Sequence, residues 1–367
     1  MGTIEDRIKE VEDEIRKTEY NKSSSHHIGK LKAKVARLKQ EAELARSKGG
    51  GGGKHFAVKK SGNATVALLG PPNTGKSTLI NRMTEAQSEV GNFAFTTTDI
   101  HPGALRYGGA LIQILDMPGI VPGASVGRGR GKEVLGVARS ADLLVIYIDV
   151  FDMSLEAVVQ EARGVGIRVN ERPPEISLAK RNRGGISICS TTRMTRMDVV
   201  TAKGILNEFG VVNGDVVFRM NASADDLIDF LSAKCTYIPA IVALNKIDMV
   251  SAEELKAKVA SLKGWKVFPI SADKGTGLEA FKKGIYEALQ FRRIYLRPQG
   301  GEADMGQPLI LKRGGTIGDV CDHLHKDFRR KFRYAMVWGT SVKYAGQRVG
   351  LEHPLEDNDV LTIVLRM

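Results

Sequence analysis

The sequence has few cysteines and no long apolar run, and both shortages narrow the class of protein. Its three cysteines, Cys189, Cys235 and Cys321, are odd in number and far apart, which excludes a disulfide framework and a CxxC zinc site. Such low cysteine usage suits a reducing compartment. The longest apolar run, residues 143–148, ends at Asp149, well short of the ~20 residues that span a bilayer. Because the first residues are acidic, unlike a signal peptide, we expect a cytoplasmic protein with no membrane partner.

Acidic residues are also scarce relative to basic ones. Lys and Arg number 54 against 42 Asp and Glu, so the net charge of the 367-residue chain is +12. An excess of this size predicts attraction to polyanions such as nucleic acid. The basic residues are concentrated in four segments, residues 22–60, 127–132, 180–183 and 326–333. Any one segment could be ordinary solvated surface, but four in one chain favour an RNA partner.

The first 48 residues have helical periodicity. Apolar residues recur three and four positions apart in residues 4–15 and again in 28–38, with serines at 23–25 between the two runs. We therefore expect two antiparallel helices whose narrow apolar stripes need a further partner surface. Five consecutive glycines, residues 49–53, then mark a boundary. The predicted N-terminal domain is helical and basic and spans residues 1–54.

From residue 64 onward, short apolar runs alternate with amphipathic segments, which predicts a doubly wound α/β sheet. The predicted strands are residues 65–69, 111–116, 143–149, 240–244 and 266–270. The predicted helices begin near Lys76, Ser154, Ser251 and Gly277. Residues 176–234 interrupt this rhythm and indicate an inserted α+β unit. Its predicted elements are a hairpin of residues 176–179 and 186–190, a helix over 198–209 and a strand over 211–218.

The remaining residues predict a small β-grasp domain. Their order is strand 309–312, helix 317–324, and strands near 335–338, 348 and 360–365. The predicted α/β domain therefore has two parts, residues 60–174 and 236–290. The insert occupies residues 175–235, and the β-grasp domain residues 291–367.

A glycine-rich loop follows the first predicted strand and precedes a helix, which is the context that a phosphate-binding loop requires. Its residues are Gly70, Pro71, Pro72, Asn73, Thr74, Gly75, Lys76, Ser77 and Thr78. The backbone N–H groups of such a loop and the positive end of the helix bind phosphate oxygens. Lys76 would neutralise the β- and γ-phosphates, and the Ser77 hydroxyl would bind Mg²⁺.

A second motif, Asp116-Met-Pro-Gly119, ends the next strongly apolar run. In a nucleotide site, Asp116 suits the outer shell of Mg²⁺, and the Gly119 N–H can meet the γ-phosphate. By itself this motif is an ordinary turn, so its weight comes from its position at the end of a strand.

Two further motifs concern the base. Asp248, in Asn245-Lys246-Ile-Asp248, follows a predicted strand, and its carboxylate can accept both the N1–H and the exocyclic amine of guanine. Adenine offers neither donor in that geometry, which predicts a selectivity of order 10⁴–10⁵. The segment after the next strand would back the base from the other side. It consists of Ser271, Ala272 and Asp273.

These four motifs, in this order over residues 64–289, resemble the signature of GTPases. The loop residues Pro71-Pro72-Asn73, the segment 92–98 and the Asp116–Ile120 motif resemble the Obg group. With residues 180–187 of the insert and a C-terminal β-grasp (TGS) domain, the whole chain resembles the developmentally regulated GTP-binding (DRG) family. The resemblance implies a P-loop GTPase sheet, an N-terminal helical region, an insert similar to a ribosomal-protein domain, GTP or GDP with Mg²⁺, and action on translating ribosomes.

The resemblance also implies catalytic roles, with Lys76 and Gly119 at the phosphates. A switch threonine would close over Mg²⁺ and the γ-phosphate, Thr97 being the first choice and Thr96 the second. Ile120 stands where Ras-like enzymes have a water-orienting glutamine, so we expect a low intrinsic rate. Asn73 resembles the asparagine that helps hold K⁺ in related GTPases, which predicts potassium stimulation. The alternative is that Asn73 only braces the loop.

The expected function is hydrolysis of GTP to GDP and phosphate by a ribosome-associated translation factor. Its partners would be rRNA or tRNA, contacted through the basic segments, and a dedicated regulatory protein that binds DRG family members. One alternative is a nucleotide-regulated scaffold in ribosomal subunit assembly with incidental turnover. Another is an ATPase of the same fold, which Asp248 argues against.

Overall fold

The computed structural model describes residues 4–19, 24–48, 62–84, 101–119, 123 and 135–366. The chain forms two compact units, one of residues 1–55 with 166–237 and the other of residues 56–165 with 238–367. Several predicted features lie outside the described residues: the glycines at 49–53, Thr96, Thr97, Ile120 and the basic segment 127–132. In the parts of the chain that the structure describes, no helix has the length and apolar character needed to cross a membrane.

The secondary structure alternates helices and strands through most of the chain. The helices are α1 Ile4–Lys17, α2 Ser25–Lys48, α3 Lys76–Met83, α4 Leu155–Gly164, α5 Val199–Glu208, α6 Ala224–Ser232, α7 Ala252–Ser261, α8 Leu278–Ala288, α9 Ile317–Leu324 and α10 Lys326–Lys331. The strands are β1 Ala64–Leu69, β2 His101–Tyr107, β3 Ala110–Asp116, β4 Leu143–Asp149, β5 Ile167–Val169, β6 Ile176–Lys180, β7 Ile186–Ser190, β8 Gly214–Phe218, β9 Thr236–Ile238, β10 Ala240–Asn245, β11 Val267–Pro269, β12 Arg292–Leu296, β13 Leu309–Leu311, β14 Phe332–Trp338, β15 Gln347–Val349 and β16 Asp359–Leu365.

Helices α1 and α2 form the predicted antiparallel pair. Val11 of α1 packs against Leu31 and Val35 of α2. Near the connection, the side chain of Glu14 lies 3.1 Å from that of His27. An earlier residue of α1, Glu12, pairs at 2.8 Å with Lys39, much later in α2. The two helices therefore run in opposite directions.

Another face of α2 packs on the inserted elements, which supply the partner surface that the sequence requires. Ala33 of α2 lies in the buried cluster formed by α5, α6 and β8. The helices approach closely because each has a glycine at the contact. A Cβ atom on Gly29 would lie 2.8 Å from Cγ2 of Thr201, and one on Gly204 would lie 2.7 Å from Cε of Lys30. This second face of α2 therefore completes the core of the insert.

The sheet of the insert corrects one prediction. β8 lies between β6 and β7, antiparallel to the first and parallel to the second, so the predicted hairpin of residues 176–190 is wrong. The segment between β6 and β7 passes over the end of β8, where the Asn213 carbonyl oxygen accepts the N–H of Arg181 at 3.2 Å. The Asn213 side-chain oxygen accepts the N–H of Gly185 at 2.8 Å. A turn motif in the sequence predicts that the chain reverses direction. It does not show whether the two strands that it joins pair with each other or with a third strand between them.

A buried ion pair holds α6 to the β5–β9 ladder. The Nε and Nη2 atoms of Arg168 donate to the two carboxylate oxygens of Asp229 at 2.5 and 2.6 Å. Their side chains are only 11% and 8% exposed. Removing one partner of such a pair costs about 3–5 kcal/mol, so this contact fixes the orientation of α6.

The second unit is built on a six-stranded sheet with the order β11-β10-β4-β1-β3-β2. β2 pairs antiparallel with β3, whereas the other pairings are parallel. Helices α3 and α8 pack on this sheet through buried residues such as Leu79 and Phe281. The strands predicted from apolar runs are confirmed to within two residues. β2 was not predicted because it begins with His101-Pro-Gly, residues that disfavour strands.

The same unit contains a second, mixed sheet of five strands in the order β13-β12-β16-β14-β15. Helix α9 packs on it through Ile317, Val320 and Cys321. β12, the first strand of this sheet in chain order, was not predicted. It begins with two arginines, which are unusual at the start of a buried strand. Ile310 of β13 joins the buried cluster of the large sheet, and Lys312 pairs with Asp142 at 2.6 Å.

Candidate nucleotide-binding site

The glycine-rich loop lies between β1 and α3, at the carboxyl end of the parallel strands. Gly75, the residue before α3, has a φ of 94°, a left-handed conformation that glycine adopts without strain. Lys76 is buried, and its ammonium group donates to the carbonyl oxygens of Pro71 at 2.6 Å and Gly70 at 3.2 Å. Burial lowers the pKa of Lys76, an effect partly opposed by the negative charge of Asp116. The ammonium group is thus held inside the loop.

The glycine-rich loop packs against the central strand β4. Gly70 lies so close to β4 that a Cβ atom there would be 2.0 Å from the carbonyl oxygen of Tyr147. The hydroxyl of Tyr147, a fully buried residue, donates to the Gly75 carbonyl oxygen at 3.4 Å. The Thr74 hydroxyl donates to the Pro71 carbonyl oxygen at 3.0 Å. The sequence does not single out Tyr147, because it is one of six residues in the apolar run 143–148.

The remaining loop residues lie towards the surface. Pro72, Asn73, Ser77 and Thr78 are exposed. Asn73 has a φ of 62°, in the left-handed region that asparagine tolerates better than most residues. The loop is therefore fixed on its sheet side and open on the side where we expect phosphate.

Asp116 and Gly119 adjoin the loop, as their motif predicts. The Ser77 hydroxyl donates to Oδ2 of Asp116 at 2.6 Å. A Cβ atom on Gly119 would lie 2.7 Å from Cα of Pro72, so only glycine fits between the two segments. A hydroxyl beside a carboxylate is a hard-oxygen donor set that suits Mg²⁺. The residues present therefore fit the predicted Mg²⁺ site, with the Ser77 hydroxyl as a ligand and Asp116 in the outer shell.

Asn245 connects the glycine-rich loop to the Ala272 segment, which we expect to border the base. It is 4% exposed, and its Nδ2 donates to the Thr74 carbonyl oxygen at 2.9 Å. Its Oδ1 accepts the N–H of Ala272, also at 2.9 Å. Both ends of the amide are therefore used by the protein itself. Asn245 therefore aligns three segments with one another: the glycine-rich loop, the Ala272 segment and the segment that begins at Asn245 itself. The motif alone does not reveal this role.

Asp248 lies in a short 3₁₀ turn, Ile247–Met249, directly after β10. A hydrogen bond from Ser271 lowers the pKa of Asp248, with a further contribution from Lys274, whose Nζ lies 3.4 Å from Oδ2. The carboxylate is therefore ionised at neutral pH and can accept hydrogen bonds. Ser271 is buried, whereas Asp273 is exposed and its carbonyl oxygen accepts a hydrogen bond from Arg82.

A glycine-rich loop between a strand and a helix, tied through one asparagine to the segment that follows a neighbouring strand, is the arrangement of a P-loop GTPase. The family model described as 50S ribosome-binding GTPase matches residues 65–180, and that of the C-terminal region of the MMR_HSR1 domain matches residues 183–291. A TGS domain matches residues 292–365. The chain is also similar, over almost its full length, to several developmentally regulated GTP-binding (DRG) proteins. It therefore belongs to the DRG protein family.

The relatives cover nearly the whole chain. An uncharacterized GTP-binding protein of Methanocaldococcus jannaschii is 49% identical over 370 aligned positions, an alignment that covers 100% of this chain and 94% of the relative. Developmentally-regulated GTP-binding protein 1 of Xenopus laevis is 42% identical, covering 99% of each chain. Ribosome-interacting GTPase 1 of Saccharomyces cerevisiae is 41% identical, covering 99% of this chain and 100% of the relative. The predicted family, the P-loop GTPase fold and the TGS domain are confirmed.

Solved structures show a weaker likeness. The YchF GTPase of Schizosaccharomyces pombe is 16% identical, with a TM-score of 0.45, over 85% of this chain and 100% of that one.

Proposed function

We propose that this GTP-binding protein hydrolyses GTP to GDP and phosphate as a ribosome-associated translation factor. One observation carries the nucleotide part of the proposal: Asn245 bonds to both the phosphate loop and the Ala272 segment. A single nucleotide can therefore contact Lys76 and Asp248 together. The ribosomal part is supported by the yeast relative, which is named a ribosome-interacting GTPase, and by the basic segments.

Each residue of the site then has a chemical role. The backbone N–H groups of residues 73–78 and the Lys76 ammonium bind the β- and γ-phosphates. Ser77 and Asp116 hold Mg²⁺, which supplies positive charge at the phosphate oxygens when bound. The Gly119 N–H would meet the γ-phosphate, and the switch threonine, Thr97 or else Thr96, would close over Mg²⁺ and the γ-phosphate.

The base side of the site provides selectivity. Asp248 accepts the two N–H donors of guanine, and Ser271 orients that carboxylate. Ala272 and Asp273 border the base, and Lys246 lies between the loop-bracing Asn245 and the base-binding Asp248. Because the pKa of Asp248 is lowered, the carboxylate stays ionised at neutral pH and keeps its full acceptor capacity.

Hydrolysis should be slow without a partner and faster on the ribosome. Ile120 cannot orient water, so the missing group has to come from elsewhere, and such a group is worth about 10³–10⁵ in rate when it is an arginine. We therefore expect ribosomes to raise single-turnover GTP hydrolysis by at least ~10³-fold. Binding to ribosomes should weaken steeply with salt, because lysines and arginines displace counterions from phosphates.

The matched measurement compares wild type with Lys76→Ala, with and without ribosomes, together with co-sedimentation in a non-hydrolysable GTP analogue. Ribosomes should stimulate only the wild type. Unchanged hydrolysis, combined with nucleotide-insensitive co-sedimentation, would favour the alternative function, a scaffold in subunit assembly. Contacts with rRNA or tRNA and with a dedicated regulatory protein are part of the same proposal.

Potassium should accelerate the reaction through Asn73. The side chain of Asn73 is exposed at the crest of the loop, where its amide oxygen can help hold K⁺ beside the phosphates. We expect turnover in K⁺ to exceed that in Na⁺ by about tenfold, equivalent to about 1.4 kcal/mol in the barrier. Asn73→Gly keeps the left-handed backbone without the amide, and it should abolish the difference. Equal turnover of the wild type in both salts would leave Asn73 as a loop brace only.

A further inference from the structure

Asp149 ends β4 opposite Asn245 of β10 and is almost completely buried. Its Oδ1 accepts the backbone N–H groups of Phe151 at 2.9 Å and Asp152 at 2.8 Å. Its Oδ2 accepts a hydrogen bond from the ammonium group of Lys246 at 2.5 Å. The two oxygens therefore have separate partners: one shapes the turn after β4, and the other holds a lysine of the nucleotide site.

The carboxylate is the main polar anchor of the Lys246 side chain. Lys246 is left-handed, with a φ of 61°, and its Nζ lies 5.9 Å from the centre of the Phe151 ring. A lysine has a long, flexible stem, so an unanchored ammonium group would sample many rotamers. Burial alone would raise the pKa of Asp149, but the bonds from Lys246 and from the backbone at residues 151 and 152 lower it. The anchor is therefore charged at neutral pH.

Chain geometry places Lys246 between Asn245, which contacts the glycine-rich loop, and Asp248, the predicted base contact. The carbonyl oxygen of Asn245 accepts the N–H of Val150 at 3.1 Å, so the turn after β4 is tied to the start of the base-recognition segment. Lys246 follows Asn245 directly and precedes Asp248 by two residues. With its ammonium group held at Asp149, the Lys246 side chain has a fixed end on each side, its Cα between Asn245 and Asp248 and its Nζ at the end of β4.

We propose that Asp149 is a positioning residue for the guanine nucleotide, acting by holding the Lys246 side chain alongside the base. This inference rests on the proposed nucleotide site. It assigns Asp149 no contact with the nucleotide. The effect should be equal for GDP and GTP, because the contact is on the base side, away from the γ-phosphate.

The carboxylate offers a substitution that separates its two roles. Asp149→Asn keeps an oxygen for the N–H groups of the turn, but its second atom becomes an NH₂ donor that cannot accept from an ammonium group. We expect it to weaken GDP and GTP binding by the same factor, about tenfold, measured by calorimetry on the full chain. Asp152→Asn removes a carboxylate charge from the same turn, and it should bind like wild type.

A double-mutant cycle with Lys246→Met tests whether Asp149 acts through the ammonium group. Lys246→Met keeps a long apolar side chain without the charge, and it should also weaken binding. If the proposal holds, adding Asp149→Asn to Lys246→Met changes the affinity less than twofold. An equal loss in both backgrounds would mean a purely structural role and would overturn the proposal. Wild-type affinity in Lys246→Met would overturn it too, even if Asp149→Asn failed to fold.

The wild-type protein separates this inference from the proposed function. If wild type shows no preference for GTP over ATP, the nucleotide site itself is misassigned. If the preference is present and the cycle shows no coupling, only the role of Asp149 is refuted.

Discussion

Replacing Asp248 with asparagine should lower the affinity for GTP by about 10⁴-fold and remove the preference over ATP. The carboxylate offers two acceptors to the two N–H donors of guanine, whereas the amide turns one acceptor into a donor that faces the base. The same donor complements the 2-oxo group of xanthine, so XTP should bind the variant better than GTP. Competition calorimetry with GTP, ATP and XTP measures all three effects.

The control for this substitution is Glu253→Gln, an exposed carboxylate five residues further along the chain. It removes the same charge without touching the base-recognition turn, and its nucleotide preference should equal that of wild type. A variant at Asp248 that kept its preference for GTP would refute the assignment of the base site.

Adding one methyl group at Gly70 should abolish GTP binding and destabilise the second unit by about 3 kcal/mol or more. In Gly70→Ala, the new Cβ would lie 2.0 Å from the carbonyl oxygen of Tyr147. That oxygen belongs to the backbone of β4, which pairs with β1 on one side and β10 on the other, so it has no room to retreat. Thermal unfolding and GDP titration of the same sample report the two effects.

Gly136→Ala is the matched control, because a Cβ atom there would have no neighbour within 4 Å among the residues that the structure describes. Residues 135–138 are α-helical, so alanine at Gly136 should leave binding unchanged and raise stability by about 0.5–1 kcal/mol. GTP binding by Gly70→Ala within threefold of wild type would show that the loop can move off β4.

Local signals predicted most of the elements around the site. Helix α3 begins at Lys76 as predicted, and Ser251 caps α7 by accepting the N–H of Glu254. Such signals depend on neighbouring residues, so the sequence alone contains them. The error at residues 176–190 was of another kind, because the pairing of β8 between β6 and β7 joins segments far apart in the chain.

The same distinction applies to the site. The loop, Asp116, Gly119 and Asp248 could be predicted because each has a motif with a chemical reason. The supporting residues Tyr147 and Asp149 could not, because their roles depend on parallel strands that the sequence separates by many residues. Asp149 was visible only as the residue that ends an apolar run.

The contact between α2 and the insert has a consequence for synthesis of the protein. Ala33 belongs to a buried cluster whose other members come from residues 176–228 and their neighbours. Helix α2 is made before the insert, so its insert-facing side must wait for about 190 further residues, or roughly 10–40 s at ordinary elongation rates, before it is covered. During that interval the nascent chain exposes this apolar surface. Chaperones that bind emerging helices should therefore associate with it until residue 237 has emerged.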